Sequence, residues 1–232
     1  MPDNQGWYFI YQSRTRMGRY MAGAEQTFIK KALSRSDARL LILDVGGGHG
    51  QHSSFVHELG HSPVLVDFDP EPIEIFLKER TDIPAIHASG LELPIRDAAF
   101  DVVLTIEVSP CTTGEGDKNV RYFADVHRIL KKNGRFLFTA HNKNSYIGRL
   151  KKLSKNAPDF EDLYYLEGVA EYTKKLRETG FDVEKCWGYR WPPFTRSSNN
   201  PLIPVFAILE RVLFLRRLPH VSPWLFIAAR KI

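Results

Sequence analysis

Short apolar segments alternate with amphipathic segments along most of the 232-residue chain. Short, mostly apolar runs predict buried strands, and apolar residues three and four positions apart predict helices. Strands that alternate with helices indicate an α/β fold in which a parallel sheet carries helices on both faces. The predicted strands are 40–45, 63–67, 83–88, 100–106, 135–140, 181–187 and 224–230. The predicted helices are 7–35, 50–60, 69–80, 119–130 and 170–178.

The length and the content of 43% hydrophobic and 25% charged residues are those of an ordinary globular domain. We therefore predict a single domain over 1–232, with an N-terminal helical cap at 1–36. Two long connections, 142–166 and 188–223, are predicted to be lids or interaction segments, because long excursions in compact domains usually carry function.

The two cysteines, Cys111 and Cys186, are far apart and form no CxxC pair. They predict neither a disulfide framework nor a cysteine zinc site, which favours a reducing compartment. The polar N-terminus does not read as a signal peptide, and charged residues interrupt the apolar stretch 202–218, so we predict a cytoplasmic protein. The net charge of +5 mildly favours anionic partners.

A glycine cluster, "DVGGGHG" (44–50), ends the first predicted strand and precedes a helix. Glycines there allow a sharp turn and a close approach to a ligand, and the helix start offers backbone N–H groups. Asp67 ends the next strand, where a carboxylate can accept hydrogen bonds from ribose hydroxyls. A dinucleotide loop would read G-x-G-x-x-G, but the sixth position counted from Gly46 is Gln51, so that template does not match.

The cluster resembles the D-x-G-x-G-x-G signature of class I S-adenosylmethionine-dependent methyltransferases. Further stretches are similar to motifs of this family in the same order, and the resemblance covers about 40–231. They are "VLVDFDPEPIEIFLKER" (64–80), "LELPIRDAAFDVVLTIEV" (91–108), "ADVHRILKKNGRFLFTAHN" (124–142) and "LRETGFDVEKCWGY" (176–189). The resemblance implies a Rossmann-like sheet of seven strands, mostly parallel with an antiparallel last strand, and S-adenosyl-L-methionine as the cofactor.

Carried over to this chain, the family motifs imply a set of cofactor contacts. Asp44, Gly46, Gly47 and Gly48 would hold the methionine part, with His49 in the same loop. Asp67 would bind ribose, and Phe68 would lie along the adenine. Ser89 stands where the family often has an acid for the adenine amino group, so backbone groups of Gly90 and Leu91 are expected to replace it. Ile106 and Glu107 would close the pocket at the end of the fourth strand.

The N-terminal helix is expected to close over the cofactor, as such segments do in similar enzymes. Tyr11, Arg19 and Tyr20 are the candidate contacts, with Arg19 on the methionine carboxylate. A helix that merely packs on the edge of the sheet is an equally good alternative.

A second motif overlaps this region, because His57-Glu58-Leu59-Gly60-His61 matches the H-E-x-x-H pattern of zinc proteases. That pattern needs a continuous helix, so that two histidines four positions apart share one face. Gly60 instead falls where a helix wants its terminal left-handed glycine. We therefore predict no metal site, and a zinc hydrolase is a remote alternative.

Two side chains are candidates for a general base, since methyl transfer to a hydroxyl requires removal of a proton. His141 ends the fifth strand and Glu107 ends the fourth, where the donor methyl should emerge. The alternatives are a packing role for His141 and a turn-capping role for Glu107.

The acceptor is expected to be a small molecule, a sugar or a lipid-linked intermediate that is methylated on oxygen. The fourth strand ends without the N/D-P-P-Y motif of nucleobase amino methyltransferases, so no nucleic-acid partner is predicted. The long connections combine aromatic and basic residues, which suit aromatic, sugar or phosphate-bearing acceptors. A member of the fold that binds the cofactor without methylating anything is the alternative.

An amphipathic segment, 202–218, carries an apolar stripe beside arginines. Such a stripe fits the core, a homodimer face or a helix on a membrane surface, and the pattern does not separate the three.

Overall fold

The computed structural model describes residues 14–34, 38–108, 118–147, 149 and 167–232. Seven strands form one sheet in the order β3-β2-β1-β4-β5-β7-β6. Neighbouring strands from β3 to β5 are parallel, and β7 runs antiparallel to both β5 and β6. The strands are β1 (Leu41–Val45), β2 (Ser62–Asp67), β3 (Ala85–His87), β4 (Phe100–Thr105), β5 (Leu130–His141), β6 (Phe181–Tyr189) and β7 (Trp224–Lys231). The predicted seven-stranded fold with an antiparallel last strand is confirmed.

The helices agree with the predicted ones within two residues at each end, except that the first begins at Arg16 rather than at residue 7, and that the sequence predicts 203–212 only as part of an amphipathic segment. They are α1 (Arg16–Leu33), α2 (Gln51–Glu58), α3 (Pro70–Glu79), α4 (Lys118–Ile129), α5 (Val169–Glu178) and α6 (Ile203–Val212), followed by a 3-10 turn (Leu215–Arg217). Side chains fix two of the helix starts. The Thr15 side chain accepts from the N–H of Gly18 before α1, and Asp69 accepts from Glu71 before α3, where Pro70 adds a preset backbone angle.

Alternate residues of the central strands pack on opposite faces of the sheet. Val103 points into the cluster that α4 and α5 cover, and Val102 and Leu104 point into the cluster that α1 and α2 cover. On the second face the Phe28 ring of α1 stacks on Phe226 of β7, with ring centroids 4.6 Å apart. Helix α1 is therefore packed on a face of the sheet as part of the core.

The apolar stripe of 202–218 does not belong to the core. Leu202, Val205, Leu209, Val212 and Leu213 are between 42% and 61% exposed, which rules out the core interpretation and leaves the two surface interpretations. Among the described helices, none is long and apolar enough to cross a membrane.

Candidate active site

The glycine loop lies against the carboxyl end of β2. The backbone N–H of Gly46 donates to the Val66 carbonyl at 2.7 Å, and Gly46 and Gly48 adopt positive φ angles of 71° and 50°. Glycine adopts this left-handed region at little cost. A methyl group on Gly46 would also lie 2.4 Å from a Val108 side-chain carbon. The predicted sharp turn is present, and it brings the loop beside the end of β4.

Asp44 is buried beneath the loop. Its Oδ2 accepts a hydrogen bond from the Ser53 hydroxyl of α2 at 2.7 Å. Burial raises the pKa of Asp44 to about 6, while the hydrogen bonds from Ser53 act in the opposite direction. The side chain therefore ties the end of β1 to the first turn of α2. Its predicted direct contact with the methionine part stays a prediction.

Asp67 faces the glycine loop at the end of β2. Its Oδ2 accepts from the N–H of Gly48 at 2.8 Å, and its Oδ1 accepts from the N–H of Asp69 at 3.0 Å. The next side chain, Phe68, is 74% exposed. An ionised carboxylate has about four acceptor positions, so both oxygens retain capacity for ribose hydroxyls.

The segment from Ser89 to Leu91 lies at the same edge of the sheet. Gly90 packs against Val45, since a Cβ atom there would lie 3.0 Å from a Val45 methyl carbon. The Ser89 hydroxyl accepts from the N–H of Leu91 at 3.2 Å, and both residues are exposed. This arrangement is compatible with backbone contacts to an adenine, as the sequence predicts.

These residues fit the nucleoside end of the predicted cofactor. A Cβ atom on Gly48 would have Asp67 Oδ2, at 4.0 Å, as its only close described neighbour, so space is open between the loop and the carboxylate. The exposed ring of Phe68 borders that carboxylate, and His49 is half-buried in the loop. A carboxylate, an aromatic ring and an open glycine backbone are the groups that a ribose and a purine need.

The end of β4 joins this loop to β5. Ile106 is buried with α1 and the sheet, and Glu107 has a positive φ of 61°. The N–H of Glu107 donates to the Thr139 hydroxyl at 2.7 Å. The Glu107 carboxylate forms an ion pair with Arg196, whose guanidinium the sequence had placed only in a lid. The Glu107 carboxylate is therefore already occupied by a cation in the structure.

A buried polar cluster that the sequence did not predict lies behind Glu107. The Tyr189 hydroxyl stands 3.5 Å from Glu25 Oε1 and 3.5 Å from Glu107 Oε1. Glu25 is fully buried, and its Oε2 lies 3.5 Å from Nε2 of His52, in the first turn of α2. The cluster thus links α1, the glycine-loop helix and the ends of β4 and β6.

Burial governs the charges in this cluster. Desolvation raises the pKa of Glu25 to about 7, against the lowering effect of Arg196, and desolvation lowers the pKa of His52 to about 4. Both groups are therefore neutral between these values, so their contact is not an ion pair in that range. One signal could have revealed Glu25: it interrupts the apolar side of α1 next to Ala24 and Phe28.

His141 lies at the end of β5 within an aromatic and cationic cluster. It is paired in register with Trp224 of β7, and the two ring centroids are 3.9 Å apart. The Arg190 guanidinium lies 5.1 Å from the Trp224 ring centroid, and Tyr146 stacks on Trp191 at 5.9 Å. Arg190 of the second predicted lid is therefore linked to His141 through the Trp224 ring, and Tyr146 of the first predicted lid contacts Trp191 of the second.

Of the three cofactor contacts predicted from the N-terminal helix, the structure describes Arg19 and Tyr20. Tyr11 lies outside the described residues. The Tyr20 hydroxyl donates to Glu210 of α6, and Arg19 lines a groove between α1 and α6. The assignment of Arg19 to the methionine carboxylate stays a prediction.

The zinc motif is divided between separate elements. Helix α2 ends at Glu58, and Gly60 follows with a positive φ of 89°. His57 Nε2 lies 3.5 Å from Asp82, whereas His61 Nδ1 accepts from the backbone N–H of Leu40 at 3.3 Å. The two imidazoles therefore contact different residues, and the helix ends before His61, so it is not continuous across H-E-x-x-H.

Comparison with known proteins also finds similarity to methyltransferases. The family described as "Methyltransferase domain" matches residues 43–138. A phthiotriol/phenolphthiotriol dimycocerosates methyltransferase of Mycobacterium leprae is 27% identical over 150 residues, which are 59% of this chain and 53% of that enzyme. The chain thus spans about half the length of that relative. An uncharacterized protein of Methanocaldococcus jannaschii is 28% identical, with 92% of this chain and 84% of that protein covered.

A crystal structure of a Pyrococcus horikoshii protein has the same fold, with a TM-score of 0.67, 17% identity and 97% of each chain covered. The family match spans the strands that form the glycine loop, the Asp67 edge and the end of β4. Residues 43–138 thus match a methyltransferase domain, and the comparisons support a class I S-adenosylmethionine-dependent methyltransferase, whose cofactor, S-adenosyl-L-methionine, the glycine loop and Asp67 fit.

Proposed function

We propose that this protein transfers a methyl group from S-adenosylmethionine to a hydroxyl oxygen of a small molecule, a sugar or a lipid-linked intermediate. The observation that carries the proposal is the position of His141, a buried imidazole two residues beyond Thr139, whose hydroxyl accepts from the N–H of Glu107 at the end of β4. S-adenosylmethionine supplies a sulfonium methyl group and leaves as a neutral thioether.

The protein's first task is alignment of the acceptor oxygen with the donor. In the proposed step the S–CH₃ bond breaks, an O–CH₃ bond forms and the hydroxyl proton leaves the acceptor. The glycine loop and Asp67 would fix the donor at one edge of the sheet. Orientation of this kind supplies much of the rate acceleration in two-substrate displacement reactions.

His141 would take the hydroxyl proton. Imidazole changes its charge near neutral pH, so it is suited to accept a proton in the transition state and to release it to solvent afterwards. Trp224 packs on the ring and fixes its orientation. Glu107 is the weaker candidate, because its carboxylate is already paired with Arg196.

The walls around His141 support an acceptor with a flat or sugar-like body. Trp224 packs on His141, the Arg190 guanidinium lies over the Trp224 ring, and the neighbouring Trp191 stacks on Tyr146. The relative from Mycobacterium leprae carries in its name phthiotriol and phenolphthiotriol dimycocerosates, which are diesters of triols. That name supports a hydroxyl acceptor without identifying one.

The cellular location is part of the same proposal. Burial raises the pKa of the Cys186 thiol to about 12, so this free cysteine stays a protonated packing group. A reducing compartment such as the cytoplasm suits a chain with this thiol.

The test is a screen of alcohols, phenols, sugars and hydroxylated lipids with the purified chain and S-adenosylmethionine. The matched amine of each acceptor is the control. We expect S-adenosylhomocysteine and an O-methylated product, both identified by mass spectrometry. Methylation of the amines alone would overturn the oxygen assignment. Tight cofactor binding without turnover on any acceptor would instead favour a binding module that does not catalyse transfer.

A further inference from the structure

Helix α6 packs on the protein through a polar contact and turns its apolar side outward. Its buried residues are Ile203 and Glu210, and Ile203 contacts Met17 and Met21 of α1. The Glu210 carboxylate is fully buried, accepts from the Tyr20 hydroxyl and accepts from Arg216 Nε at 2.6 Å. These bonds fix the rotation of the helix about its axis.

The outward side of α6 and the turn after it form one apolar surface. Eight of the twelve large apolar side chains that are exposed in the described part of the chain lie between 202 and 218. We call six of them the α6 face: Val205, Ile208, Leu209, Val212, Leu213 and Phe214. Ile208, Val212 and Phe214 are each 61% exposed. Contiguous apolar patches of this kind mark sites of association with a membrane or a partner.

A basic groove of about 1180 Å³ borders the α6 face, between α1, β6 and α6. Exposed cationic side chains line it, among them Arg16, Lys31, Lys185, Arg211 and Arg217. The ammonium groups of Lys31 and Lys185 lie 5.2 Å and 4.9 Å from the Trp187 ring centroid, which holds both at the groove. Of the described lining residues, the one carboxylate is that of Glu210, and it is already bonded.

We propose that the α6 face and the basic groove dock this protein onto the surface of an anionic lipid bilayer. The α6 face enters the boundary between headgroups and acyl chains, and the groove cations bind lipid phosphates. A helix with an apolar side and flanking arginines has the composition of an interfacial helix, and cations beside it add electrostatic attraction to anionic lipids. The proposal does not depend on which acceptor is methylated.

The charges around the α6 face favour an anionic bilayer over a second copy of the chain as the binding partner. In a twofold dimer the same patch meets itself, so the arginines that flank each α6 face would approach other cations. The phosphates of a nucleic acid would pair with the cations of the groove, but the Val, Ile and Leu side chains of the α6 face would remain in water. A bilayer with anionic headgroups complements both surfaces at once.

The test is cosedimentation of the full chain with phosphatidylcholine vesicles, with and without phosphatidylglycerol, at low and moderate salt. We expect binding to the anionic vesicles that weakens as salt rises. Ile208→Ser with Val212→Ser should reduce the binding at least tenfold without unfolding the protein, because both side chains are exposed. Arg211→Gln with Arg217→Gln should also reduce the binding at least tenfold, because the loss of each cation near the membrane surface weakens binding about fivefold.

Two variants elsewhere are matched controls. Leu77→Ser removes an exposed apolar side chain of α3, and Arg177→Gln removes an exposed cation of α5; both should bind like the wild type. Circular dichroism verifies the fold of every variant. Equal binding by the α6 variants and the wild type would overturn the proposal. So would a dimer that depends on Ile208 and Val212, retention of nucleic acid by the same arginines, or binding of inorganic phosphate without vesicle binding.

Discussion

The carboxylate of Asp67 and the backbone N–H of Gly48 are joined by a hydrogen bond of 2.8 Å. This contact connects the end of β2 to the glycine loop at the end of β1. It places an acceptor for ribose hydroxyls beside open space in the loop, because a Cβ atom on Gly48 would come no closer than 4.0 Å to the carboxylate.

Asp67→Ala should weaken binding of S-adenosylmethionine and S-adenosylhomocysteine by a factor of about 10² to 10⁴. Each hydrogen bond to a charged group contributes about 1.5–3 kcal/mol, and the carboxylate is expected to accept two from ribose. Isothermal titration calorimetry measures the change. Asp82→Ala is the control, since that carboxylate is exposed and pairs with Arg80. Equal affinity in a folded Asp67→Ala variant would remove Asp67 from the cofactor site.

The fold and the cofactor edge were predictable because their signals are local. Strands such as β1 and β4 are buried on both faces, so they appear as nearly unbroken apolar runs. The glycine loop and Asp67 follow directly from the ends of two such strands. The position of each residue in the sheet therefore follows from its distance to the end of its own strand.

His141→Gln should lower the rate of methyl transfer by a factor of about 10² to 10⁴, the usual contribution of a general base. Cofactor affinity should not change, since the proposed mechanism has His141 act on the acceptor and its ring packs against Trp224. The decline of the rate at low pH, which follows protonation of an imidazole base, should flatten. Turnover with the acceptor found in the screen, measured across pH, provides the readout.

The exposed His220 supplies the control for this prediction. His220→Gln should retain both the rate and its pH dependence. If His141→Gln also retained the rate within a factor of a few, His141 would be a packing residue and the proposed base would be wrong.

The buried polar cluster could not be predicted, because its members are far apart in the chain. Glu25 and Tyr189 are separated by 164 positions, and Arg196 reaches Glu107 from a long connection. Their proximity depends on how α1 and the ends of β4 and β6 pack together. The outward rotation of α6 depends likewise on Glu210, whose burial against Tyr20 no hydrophobic pattern would indicate.

Glu25 should make stability depend on pH. Its pKa is about 7 in the folded protein, against about 4.3 for an unfolded glutamate. The folded protein holds the proton more tightly, so this contribution is fully present below about pH 4 and is lost as pH rises through 7. His52 acts in the opposite direction, since its pKa of about 4 gives a contribution that is present above about pH 6.5 and is lost as pH falls through 4.

Glu25→Gln isolates the first effect, because glutamine cannot ionise. Relative to the wild type, its free energy of unfolding should rise between about pH 5 and about pH 8, by a change on the order of 3 kcal/mol or less. Urea unfolding at the two pH values measures it. Glu74→Gln, at an exposed site on α3, should show the same pH dependence as the wild type. Parallel curves for Glu25→Gln and the wild type would show that Glu25 is ionised throughout this range.

Zinc should bind the wild type no more tightly than it binds His57→Ala. Two histidines at positions i and i+4 share a metal only when a continuous helix places them on one face. Here α2 ends at Glu58, and His61 accepts a hydrogen bond from Leu40 through Nδ1. Zinc titration monitored by calorimetry, with His220→Ala as the control for adventitious binding, should give the same weak isotherm for all three proteins. One zinc per chain that survives dialysis of the wild type and is lost in both His57→Ala and His61→Ala would contradict this, since it would require the turn at Gly60 to rebuild as helix.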